Sequence, residues 1–75
     1  MNARELGRVI LERRRNLDLD QRSLAEIAGI SVHSLSNLES GKGNPTLRVL
    51  TALADSLGLE VRLMVRNRSI DADGG

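Results

Sequence analysis

Between Arg4 and Asn16 the apolar residues Leu6, Val9 and Ile10 recur at the spacing of a helical turn. Arg13 falls on the same side, and Glu5, Arg8, Glu12 and Arg15 fall largely on the other. This is the pattern of an amphipathic helix with one stripe turned to a core. Leu17-Asp18-Leu19 reads as a connection. Asp20 predicts the start of a second helix over 21–28, because its carboxylate can accept the free amide protons of a first turn. Gly29 predicts its end, where a left-handed backbone costs little without a side chain. Ser31 is a second capping hydroxyl, ahead of a short helix from Val32 to about Glu39. Leu35 and Leu38 lie one turn apart on it, and His33, Ser34, Ser36 and Asn37 form its other face. Ser40 to Pro45 has the composition of a turn-rich loop. Thr46 then predicts a fourth helix carrying Leu47, Leu50, Leu53, Ala54 and Leu57, closed by Gly58.

From Leu59 to Arg66 the period changes from 3.6 to 2: Leu59, Val61, Leu63 and Val65 alternate with Glu60, Arg62, Met64 and Arg66. Alternation of this kind predicts a strand. A lone strand after four helices has no partner in its own chain, yet its backbone groups must bond and its apolar row must be covered. The economical partner is the same strand of a second copy. The expected fold is therefore mainly α, with four helices over residues 1–58, one C-terminal β-strand over 59–67 pairing across a homodimer, and a flexible polar tail over 68–75.

Composition narrows the function. A chain of 75 residues forms one small domain, which hides only about 60% of the surface of its extended form, and this again favours a partner subunit. With no cysteine, disulfides and thiolate metal sites are excluded, and a cytoplasmic setting is expected. The absence of Phe, Tyr and Trp removes the aromatic platforms on which single-strand and RNA readers stack bases. No apolar run is long enough for a membrane span or a secretory leader. The net charge of +1 becomes +3 without Asp71 and Asp73, eleven basic residues standing against eight acidic, which is a weak signature for a nucleic-acid binder. Catalysis fails on inventory. There is one His, Gly41-Lys42-Gly43 lacks the spacing of a phosphate loop, no metal-ligand cluster occurs, and Glu12, Glu26 and Glu39 fall on separate helices. No cofactor is expected.

Order along the chain says more. The stretch from Gln21 to Leu38 places small Ala25 where two helices would cross, Gly29 at the bend, and Leu24, Ala28, Ile30, Leu35 and Leu38 at buried positions. A helix-turn-helix needs both a small crossing residue and a glycine-tolerant turn. On Leu19-Asp20-Gln21, Leu24-Ala25, Ala28-Gly29-Ile30-Ser31, Leu38-Glu39-Ser40-Gly41-Lys42, Asn44-Pro45-Thr46-Leu47 and Leu57-Gly58, the chain resembles the Xre/Cro (lambda-repressor-like) DNA-binding family over roughly residues 4 to 59. Within that family, Gly58-Leu59-Glu60-Val61-Arg62-Leu63 is most similar to the HipB-type antitoxins, which have a strand where many relatives have a fifth helix. The tail is shorter than in the better-known pattern.

The resemblance implies a homodimeric repressor of its own operon that reads an inverted-repeat operator in double-stranded DNA and neutralises a HipA-like serine/threonine kinase toxin. It implies base reading by Val32, His33, Ser36 and Asn37 from the helix that enters the major groove. Gln21, Ser31, Ser34, Lys42 and Asn44 would hold phosphates, and Arg14 and Glu39 would form a structural pair joining the first and third helices. Leu59, Val61, Leu63 and Val65 would form the dimer strand. The run Arg13-Arg14-Arg15 reads either as a solvated basic face or as a phosphate contact. Two competing functions stay open: a phage-type repressor or restriction-modification controller without a toxin, and a protein-interaction module that has lost DNA binding.

Overall fold

The computed structural model describes residues 1–66, so the tail expected over 68–75 and the last residue of the expected strand lie outside the described residues. Four helices follow one another: α1 (Ala3–Asn16), α2 (Gln21–Ala28), α3 (Val32–Glu39) and α4 (Leu47–Leu57). The capping chemistry predicted from the sequence is in place. The side chains of Asp20, Ser31 and Thr46 accept from Ser23, Ser34 and Val49 backbone N–H groups at 2.7, 3.0 and 3.1 Å, each such cap being worth about 1 kcal/mol. α1 has a stronger start than its sequence suggested. Asn2 accepts from the Glu5 N–H at 2.8 Å, and its own N–H donates to the Glu5 carboxylate at 3.0 Å, a reciprocal capping box.

Gly29 ends α2 at φ +74°, and the following Ile30 N–H reaches back to the Ala25 carbonyl at 2.9 Å. This closure turns the chain within three residues and delivers Ser31 to the start of α3. α1 and α2 each pack on both α3 and α4. The core between them consists of Ile10, Leu24, Ala25, Leu35, Leu38, Leu53 and Leu57, with Leu6, Leu19, Ala28, Ile30, Val49 and Leu59 packed around it. Val9, counted on the apolar stripe of α1, is instead largely exposed.

Gly7, which carries no local sequence signal, sets the approach of α1 to α3. A Cβ there would collide with the Leu38 carbonyl and come within 2.9 Å of the Glu39 carbonyl. Only a bare backbone lets α1 lie against the last turn of α3.

The expected strand, which needs a second copy, is not seen in the single chain. No strand occurs among the described residues, and residues 59–66 leave α4 without regular structure. Leu59 packs against the core and its N–H closes α4 on the Ala54 carbonyl at 2.8 Å. Beyond it the chain departs from the helices, leaving Leu63 and Val65 at 100% and 96% exposure. The physical reason is the one that made a second copy attractive: a ladder needs a neighbouring backbone, and the described residues offer none to the segment.

Candidate nucleic-acid interface

α3 is held from behind and left bare in front. Leu35 and Leu38 anchor it in the core, and a buried polar network grips its C-terminal end. Glu39 accepts from Arg14 twice, from Nε at 2.7 Å and from Nη2 at 3.0 Å. A third Arg14 hydrogen bond, from Nη1, goes to the Leu19 carbonyl at 2.7 Å. Gln21 Nε2 donates to the same Glu39 carboxylate at 2.9 Å. The Arg14 guanidinium is held above its ordinary pKa, chiefly by the hydrogen bond to Glu39. Arg14 and Glu39 thus brace α1 against α3, and the amide brings the N-terminus of α2 to the same point.

The run Arg13-Arg14-Arg15 is divided among three tasks. Arg13 Nε donates to the Leu57 carbonyl at the end of α4 at 2.8 Å, Arg14 is buried in the network, and Arg15 alone is exposed. A continuous basic face is ruled out because the helical turn sends neighbouring residues about 100° apart.

The outward face of α3 carries Val32, His33, Ser36 and half-buried Asn37. Val32 is 41% exposed. His33 Nε2 and Asn37 Nδ2 meet at 3.3 Å. The main chain of Asn37 is also fixed: its carbonyl accepts from the Ser40 hydroxyl at 3.0 Å and from the Lys42 N–H at 2.9 Å. The second of these bonds folds the α3–α4 loop back beside the helix.

The residues expected at phosphates flank this face. Ser31 and Ser34 share a hydroxyl hydrogen bond of 2.9 Å at the start of α3. Lys42 and Asn44 are exposed in the loop. With Ser34, Asn37 and Thr46 they line an open cleft of about 290 Å³ between α3 and the beginning of α4. Gln21 differs from its expected role in one respect, since part of its amide is committed to Glu39, leaving its carbonyl oxygen and one N–H for another partner. The start of α2 meets the end of α3 through Gln21 and Glu39, and the start of α4 borders the α3 cleft at Thr46; the first backbone N–H groups of a helix favour an anion. Arg22 and Arg48 are exposed one residue beyond those starts. Such an arrangement suits a groove of hydrogen-bonding edges bordered by two rows of phosphates.

Among the described residues no group of His, Asp and Glu is placed to hold a metal ion, and no helix is long and apolar enough to cross a membrane. A family profile described as helix-turn-helix matches residues 10–63. No curated protein matches the chain.

Proposed function

The chain belongs to the helix-turn-helix family in its Xre/lambda-repressor-like form, a family of DNA-binding transcription regulators, and from that premise we propose that it is a homodimeric, sequence-specific repressor of transcription acting in the cytoplasm. One observation carries the proposal: the polar face of α3 is free while its apolar face and C-terminal end are fixed. Base reading falls to Val32, His33, Ser36 and Asn37, and phosphate contact to Gln21, Ser31, Ser34, Lys42 and Asn44. The four base-reading side chains are short and presented from a braced helix, so they lose little entropy on binding.

Two α3 helices related by a two-fold axis would enter successive major grooves about 34–36 Å apart, which makes the operator an inverted repeat. Enrichment from randomised duplex DNA should recover such a repeat. If each subunit neutralises about four phosphates, log K should fall against log salt with a slope near −7. Asn37→Ala should cost about 1–3 kcal/mol at one base pair per half-site. Unchanged affinity and specificity on replacing both His33 and Asn37 by Ala would reject these two residues as base readers, and failure of the natural chain to enrich any duplex would leave a protein-interaction module.

The narrower role we assign is that of an antitoxin to a HipA-like serine/threonine kinase. It rests on the resemblance of Gly58 to Leu63 to the antitoxin strand. A kinase-like reading frame beside this gene, and a complex of the two products on co-expression, are the expected results. A neighbourhood without such a frame would leave a plain repressor or restriction-modification controller.

A further inference from the structure

Asn37 Nδ2 lies 3.3 Å from His33 Nε2; an amide nitrogen only donates, so the contact is a hydrogen bond when the imidazole nitrogen facing it is the acceptor. The neutral ring then bears its proton on Nδ1, the less common tautomer of a free histidine side chain in water. With one Nδ2 hydrogen held by His33, the amide has lost its two-fold freedom. Its Oδ1 and second Nδ2 hydrogen remain as one acceptor and one donor in fixed order. Adenine presents a matching N7 acceptor and N6 donor in the major groove, whereas guanine presents two acceptors. A rotated amide would set donor against donor and acceptor against acceptor.

We propose that His33 is a positioning residue for base reading, locking the Asn37 amide in the orientation that selects adenine; this rests on the DNA-reading function proposed above. His33 and Asn37 are one helical turn apart on an exposed face, so the lock is built into α3 and precedes any DNA contact.

Two measurements test it. In the free protein at alkaline pH, imidazole nitrogen shifts should report the Nδ1–H tautomer, and a ring protonated on Nε2 overturns the proposal. In enrichment from randomised duplex DNA, the natural chain should select adenine at one position per half-site, by on the order of tenfold, and Asn37→Ala should abolish that preference. His33→Ala should reduce it to about twofold or less while circular dichroism stays unchanged. His33→Glu, which only accepts, should restore the adenine preference even as its charge lowers overall affinity, a rescue that a merely structural role would not give. Full preference retained in His33→Ala overturns the positioning role alone. Failure of the natural chain to enrich any site overturns the DNA-reading function and the positioning role with it.

Discussion

Arg14 is a cation that has left water, and every one of its strong contacts depends on Glu39 or on the Leu19 carbonyl. Removing one member of a buried pair strands the other, so Glu39→Ala should lower the unfolding free energy by about 3–5 kcal/mol. The double variant Arg14→Met with Glu39→Leu should recover most of that loss, because it removes both desolvation penalties. Urea unfolding of the two variants decides the matter, and equal destabilisation of both would show that the loss does not come from a stranded charge. Asp20 offers a second test. The Ser23 backbone N–H, followed by the Ser23 hydroxyl, holds its carboxyl below the ordinary value. A lowered folded-state pKa means that its stabilisation is complete above the usual carboxylate range and fades as pH falls through the lowered value. Asn also caps helices but does not titrate. The stability gap between the natural chain and Asp20→Asn, followed by thermal unfolding, should therefore shrink on acidification below about pH 4. A gap that stays constant into acid would show that the cap carries no charge-dependent part.

At the scale of elements, the contact of α1 with α3 depends on Gly7. Alanine is the better helix former by about 1 kcal/mol, so Gly7→Ala would stabilise an isolated α1. In the folded chain its methyl group meets the Leu38 and Glu39 carbonyls, which are main-chain atoms and cannot turn aside. A net loss of about 1–3 kcal/mol is expected from the forced separation, read as a lower thermal midpoint; a higher midpoint would show that the helices part without cost. Gly7 also shows which parts of this fold the sequence could reveal. Asp20, Ser31, Thr46, Gly29 and Gly58 act on residues within one turn, so their roles can be read locally. The reason for Gly7 lies on a helix distant in sequence and has no local signature. The same distinction separates Asn37, whose outward position follows from the Leu35–Leu38 spacing, from Gln21, whose amide is partly claimed by a carboxylate on another helix. Residues 59–66 are the extreme case: alternation describes which side chains would share a face, but a ladder exists only where a second backbone supplies its hydrogen bonds.

At the scale of the whole molecule, the described residues leave apolar surface exposed at one end. Leu47 on α4 is 70% exposed, and with Leu50, Ala54, Leu59, Val61 and Leu63 it borders an open cavity of about 780 Å³. The exposed row continues to Val65. A domain this small has little stability to spare, so covering this surface with a second copy would strengthen the fold as well as space two α3 helices. Sedimentation should give about twice the 8.2 kDa chain mass, and the thermal midpoint should rise with protein concentration, as it does when association stabilises only the folded form. Leu63→Asp combined with Val65→Asp places charges on that row without touching the core, since both side chains are exposed in the single chain. The variant should remain helical, sediment as one chain, and bind a half-site with about half the salt slope of the dimer, because only half the phosphates are neutralised. If the natural chain sediments singly while retaining the full slope on an inverted repeat, the two copies meet only through DNA, and the row from Leu59 to Val65 is not what holds them together.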